Sequence, residues 1–175
     1  MMLEFSIEDD RWQDIDFEPL ATRAVGAVLE KFEIDPEGCE ISVLACDDAR
    51  IAELNAEFRA KPSPTNVLSW PADDLSAEDP GGLPTPPKPD FTGDIALGDI
   101  AISWDTCARE ALEAGRPVAD HVTHLVIHGL LHLLGYDHIR DPDATLMEGI
   151  EVAILGIMGI DDPYKERDGP TRPEF

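Results

Sequence analysis

The stretch from His128 to His138, HGLLHLLGYDH, carries three histidines at i, i+4 and i+10, with Gly135 between the second and the third. His128 and His132 stand about one helical turn apart on one face, so two imidazoles reach the same point in space. Gly135 takes positive φ without a Cβ penalty, which is what a helix needs in order to stop. The chain then doubles back through Tyr136 and Asp137 and brings His138 to that point. Three neutral imidazoles around one centre make a metal site, with zinc the default occupant. The motif offers no fourth ligand, so one position stays open, as in catalytic rather than structural sites.

The same spacing, H-x-x-x-H-x-x-G-x-x-H, belongs to the metzincin proteases, where the residue after the first histidine is the glutamate base. Here it is Gly129. The metal geometry is present and the built-in base is not, which counts against peptide hydrolysis. His124 extends the stripe one turn back and His121 lies near it; both read as neighbours of the site or polar-face residues rather than ligands. Asp137 is the nearest carboxylate, and two roles stay open for it: a general base, or a turn former that orients its neighbours.

The elements around this motif follow from hydrophobic periodicity. LEFSIE (3–8) and CEISVLAC (39–46) read as strands, the second with Ile41, Val43 and Ala45 on one face. A helix over 17–32 lies between them, with Leu20, Ala24, Ala27, Val28 and Lys31 near the helical period. Asp47 or Asp48 then caps a helix whose Ile51, Leu54 and Phe58 point inward and which ends at Arg59, ahead of Pro62 and Pro64. TNVLSW reads as a short strand, and IALGDIAIS as another with Gly98 at a bulge or close approach. A helix from about Trp104 to Glu113 follows. Pro117 suits the first turn of the histidine helix, which is apolar almost all round and so belongs in the interior. Gly129 inside it implies that a strand or a substrate passes close. Asp141 caps a last helix with Leu146, Ile150, Ala153, Ile154 and Ile157 as its core face.

Residues 71–93 change composition sharply; five prolines between Pro80 and Pro89, with Gly81 and Gly82, deny the stretch a packed secondary structure. It reads as a flexible surface loop, with a lid over the site as the sharper alternative. The tail, 161–175, is expected to fray.

A chain of 175 residues is read as one domain, 1–160, followed by that tail. The three cysteines, Cys39, Cys46 and Cys107, have no C-x-x-C spacing and read as reduced, mostly buried thiols of a cytoplasmic protein. No apolar run is long enough to span a bilayer. The formal net charge of -24 weighs against nucleic-acid binding, which is dominated by cationic contacts. It leaves room for a small basic cleft, because Arg59, Lys61, Arg109, Arg116 and Arg140 lie in or beside the motif segments and a divalent metal adds positive charge.

HGLLHLLGYDH closely resembles the signature of the bacterial rRNA-maturation metalloendoribonuclease family YbeY. FRAKPSPTNVLSWP (58–71), LGDIAIS (97–103) and DPDATLMEGIEVAILGIMGIDDPY (141–164) match it in the same order, so the resemblance covers about Ile41 to Tyr164. It implies an α+β fold with a small mixed, mostly parallel sheet flanked by helices and a buried histidine-bearing helix. It also implies one zinc per chain held by His128, His132 and His138, with Arg59 facing the metal cleft as a functional residue. Cleavage of single-stranded RNA, 3′-end maturation of the 16S rRNA precursor and ribosome quality control would follow. Two features depart from the family: Ser63 stands where an acidic residue is common, and the Pro-rich loop is longer than usual. Two rivals are a non-catalytic zinc-containing assembly factor that binds the small ribosomal subunit or its basic proteins, and a zincin-type protease. The acidic surface suits the first; Gly129 opposes the second.

Overall fold

The computed structural model describes residues 1–164. Four strands form one sheet: β1 (Met2–Ile7), β2 (Cys39–Cys46), β3 (Val67–Pro71) and β4 (Ile95–Ser103). Their spatial order is β1-β2-β4-β3, with β1, β2 and β4 parallel and β3 antiparallel on the edge. Five helices accompany them: α1 (Phe17–Lys31), α2 (Asp48–Arg59), α3 (Trp104–Ala114), α4 (Val118–Leu133) and α5 (Asp141–Ile157). The architecture is the expected α+β one, and its small sheet is mostly parallel. No helix among the described residues is long and apolar enough to cross a membrane.

Strand alternation explains the two cores. In β2, Cys39, Ile41, Val43 and Ala45 face the larger core, shared with α1, α4 and α5, while Leu44 and Cys46 face the smaller one under α2. In β4 the same alternation is broken once. Leu97 and Ile100, three residues apart, both face the larger core. The register slips between Glu40 and Ile41 of β2, which pair with Ala96 and Gly98. That bulge resets the phase, as Gly98 foretold. Gly98 has φ 137, and a Cβ there would lie 2.2 Å from the carbonyl oxygen of Trp70.

Helix α4 is the central element. Every residue from His121 to Leu131 is buried, and the helix packs on α1, α3, α5, β3 and β4. The strand inferred from Gly129 is there: a Cβ would lie 3.3 Å from Ser69 Oγ and 3.4 Å from Ile100 Cδ1. Pro117 precedes the first turn of α4 rather than opening it, and Arg140 rather than Asp141 is the N-cap of α5.

Two inward faces differ from expectation. On α2, Ile51 and Asn55 are buried, Leu54 is half-buried, and Phe58 is exposed against the edge of Trp70. On α5 the buried stripe is Ala144, Met147, Glu151, Ile154 and Leu155, whereas Ala153 and Ile157 are exposed. All three cysteines are buried and free, and burial pushes the Cys46 thiol up to about 12.

The Pro-rich stretch contains no helix or strand beyond Pro71, as its composition dictates, yet it is anchored. Arg140 donates to the carbonyls of Ala77 and Glu78 at 3.0 Å each, and the Gly81 amide donates to Asp143 at 2.8 Å. Residues 72–94 include no fully buried side chain. Replacing Asp73–Pro89 with a short Gly/Ser linker should therefore lower the melting temperature by less than about 8 °C, about 2 kcal/mol in a domain of this size. A larger fall in a calorimetric scan would show that the segment carries core packing.

Candidate metal centre

Helix α4 ends where the sequence said it must. Leu134 caps it, Gly135 follows with φ 101, and the Tyr136 amide donates back to the Leu131 carbonyl at 3.0 Å. Gly135 has a second duty that sequence did not reveal: the loop crosses it, and a Cβ would lie 2.6 Å from the Leu75 carbonyl. The turn delivers His138 to the histidines of the helix. Ring centroids are 4.5 Å apart for His128 and His132, 5.3 Å for His128 and His138, and 5.1 Å for His132 and His138. One ligand atom from each lies within 4.8 Å of the others, so the three could hold a metal ion.

The outer nitrogens fix the tautomers. His132 Nδ1 donates to the Tyr136 carbonyl at 3.0 Å, and His128 Nδ1 to Glu151 Oε1 at 2.6 Å. Carbonyl and carboxylate oxygens only accept, so both Nε2 atoms are left bare toward the centre, 2.9 Å apart. Burial depresses the basicity of both rings; it takes His132 down to about 3, helped by the repulsion of His128 and His138. They are thus neutral imidazoles near pH 7, the form that binds a metal. His138 Nδ1 is buried and has no hydrogen-bond partner, which a native interior rarely tolerates without an occupant. These features fit a metal ion.

The histidines lie in a cleft of about 440 Å³, lined also by Arg59, Ser69, Asp137 and residues 73–76 of the loop. The loop is thus a wall of the site. Arg59 reaches the rim from the last turn of α2, where Ala60 closes the helix at φ 56. Buried Asn55 holds the following turn by donating to the Ser63 carbonyl at 2.9 Å. The basic cleft allowed by sequence is not formed by side chains. Of the cations near the motifs, Arg59 alone lines it, facing Asp73, Asp74 and Asp137. Arg109 pairs with Glu113, Arg116 donates to the Asp162 carbonyl, and Arg140 holds the loop. Asp137 lies 3.9 Å from His138 Nδ1 and accepts the His138 amide at 2.7 Å, so it orients the third histidine.

A family profile described as endoribonuclease YbeY matches residues 4–159. The chain belongs to the YbeY family. It is 68% identical over 164 residues to an endoribonuclease YbeY of Ruegeria pomeroyi, covering 94% of this chain and 98% of that one. The corresponding protein of Dinoroseobacter shibae is 55% identical over 163 residues, with 93% and 90% covered. A solution structure of a Thermotoga maritima protein shares the fold at a TM-score of 0.55 and 20% identity, covering 98% of this chain and 100% of that one.

Within this YbeY-family site, sequence reasoning missed Glu151 and Tyr164. Glu151 is fully buried, and its second oxygen accepts from His124 Nε2 at 3.1 Å and from the Tyr164 hydroxyl. Burial alone would raise its pKa, but the hydrogen bonds from His124 and His128 outweigh it and hold the group well below the usual carboxylate range. His121 bonds Glu110 at 3.0 Å and is no part of the triad. Tyr164 falls in the tail expected to fray, and residues 161–164 are instead tied to α3–α4 and α5. Residues 165–175 lie outside the described ones. The usable signal for Glu151 was a lone charge in the apolar run IEVAILGIMGI.

Proposed function

We propose that this chain is a zinc-dependent, single-strand-specific endoribonuclease of the cytoplasm, acting in 3′-end maturation of the 16S rRNA precursor and in ribosome quality control. The observation that carries the reading is the convergence of His128, His132 and His138 in a cleft rimmed by Arg59. The family relatives named endoribonuclease support it. Those three residues would hold the ion, which supplies Lewis acidity toward a phosphoryl oxygen and lowers the pKa of water.

The chain's own residues do the rest. Arg59 offers a planar, permanently charged fork to two phosphate oxygens. Residues 73–76 line the cleft together with Ser69 and Pro71 of β3, and a single strand is the RNA form read for it. Asp137 is placed to accept a proton at the cleft edge while it holds the His138 backbone. A protease reading loses further ground. Gly129 sits against the side chains of Ser69 and Ile100, which would have to shift to admit the glutamate that a zincin protease carries there.

Arg59→Lys keeps the charge and loses the fork. It should lower cleavage of a single-stranded RNA at least about 10-fold, about 1.4 kcal/mol of transition-state stabilisation, with metal content and folding unchanged. Arg59→Glu should be slower still. Cleavage at the wild-type rate by Arg59→Lys would reduce the residue to a helix-end cation. Wild-type protein with bound zinc and no cleavage of any single-stranded RNA would favour the non-catalytic assembly factor, a partner of the small subunit or its basic proteins.

A further inference from the structure

The metal ligands on α4 differ in what holds them from behind. His132 rests on a backbone carbonyl, whereas His128 rests on a carboxylate taken from α5 and buried completely. Backbone support would have sufficed for orientation. A buried ionised carboxylate is costly unless its partners offset the lost hydration. Its donors among the described residues are His128, His124 and Tyr164, none of them a lysine or arginine. A dication one imidazole away would offset that cost directly, and the carboxylate in turn would make the imidazole a stronger ligand.

The other oxygen of Glu151 is also committed. It accepts from His124 Nε2 at 3.1 Å and from the Tyr164 hydroxyl, which itself lies 3.3 Å from His124 Nε2. The Tyr164 ring stands edge-on to the His124 ring, with centroids 5.6 Å apart. The segment bearing Tyr164 is fixed by Arg116, which donates to the Asp162 carbonyl at 2.9 Å, and by the Tyr164 amide on Asp162 Oδ1 at 2.8 Å. The carboxylate is therefore clamped on both oxygens, by a metal ligand on one side and by the end of the described chain on the other.

We propose that Glu151, clamped by His124 and Tyr164, is a positioning residue that sets the affinity of the His128–His132–His138 centre for its metal. Through it, the segment after α5 is coupled to metal binding. The inference rests on the metal reading of the triad.

Zinc affinity by chelator competition and the visible spectrum of the Co²⁺-loaded protein test it, with wild type, Glu151→Gln and Tyr164→Phe compared. Glu151→Gln keeps shape and one acceptor oxygen but loses the charge. It should weaken zinc about 10- to 100-fold and shift the Co²⁺ bands. Tyr164→Phe leaves every ligand and the carboxylate in place and should weaken zinc about 5-fold, the loss of one hydrogen bond to a group behind the ligand. A merely structural network would lower the melting temperature of the metal-free variants and leave zinc affinity and Co²⁺ spectrum as in wild type, which would overturn the proposal. If Glu151→Gln does not fold, Tyr164→Phe decides alone: weaker zinc supports the coupling and unchanged zinc ends it. Wild-type protein that binds no zinc would remove the metal reading and this inference together. Tight wild-type binding with unaltered variants would remove only this inference.

Discussion

Purified protein should carry about one transition metal per chain, and His132→Ala should lose it along with at least about 100-fold of its RNA cleavage. His132 is the cleanest of the three to remove. Its outer nitrogen serves only the Tyr136 carbonyl, so the alanine strands no charge. His128→Ala should also lose the metal, but it takes a donor away from buried Glu151 and should unsettle the fold as well. His138→Ala should lose the metal with little change in folding, because that ring lies beyond the helix in the turn. His121, paired with Glu110, is the control whose alanine variant should keep full metal. Elemental analysis of each variant after gel filtration checks the set. Full occupancy in His138→Ala would mean that the third ligand lies elsewhere.

Gly98→Ala should destabilise the protein by about 3 kcal/mol or more, lowering the melting temperature by roughly 6–12 °C. Two costs combine. The backbone sits at φ 137, which an L side chain avoids, and the new methyl would meet the Trp70 carbonyl at 2.2 Å and Leu133 Cδ2 at 3.0 Å. Neither the antiparallel β3 strand nor α4 behind it can move away without loosening the wall that carries Ser69. Gly156→Ala on α5 is the matched control: no atom lies within 4 Å of its added Cβ, and alanine favours the helix. Calorimetry should show the first variant melting early and the second at or above wild type. Equal melting of all three would contradict the bulge.

The clustering of the three histidines was legible because it is local. Periodicity placed His128 and His132 on one face, and Gly135 ended the helix where His138 had to turn back. Strand phase was legible too, including Gly98 as an irregular point. The errors share a physical origin: polarity was equated with exposure. Glu151 stood out only as a charge interrupting an apolar run, and the core face of α5 was drawn without it through Leu146, Ile150, Ala153, Ile154 and Ile157. The buried stripe runs through Ala144, Met147, Glu151, Ile154 and Leu155 with Leu146 and Ile150 half-buried beside it, so only Ala153 and Ile157 fall outside. On α2 the same assumption put Phe58 inside and left out Asn55, which is buried because it satisfies the Ser63 carbonyl in the turn below Arg59. The proline-rich stretch was read correctly as lacking regular structure. Its docking on Gly135 and Arg140 is long-range pairing that composition does not encode.

His128, His132 and His138 fit within eleven residues of one helix and its turn. Bringing them together closes no long loop, so it costs little chain entropy and draws on helix formation alone. Everything that makes the centre selective comes from far away in the chain: Ser69 meets Gly129 across 60 residues, the Leu75 carbonyl covers Gly135, and Arg59 arrives from α2. If those three histidines hold the ion, a chain with its sheet incomplete would bind it before the cleft exists, more weakly until Glu151 backs His128. Metal capture would then need less of the fold than selective chemistry does, and metal content by itself would not measure how much of a preparation has finished folding.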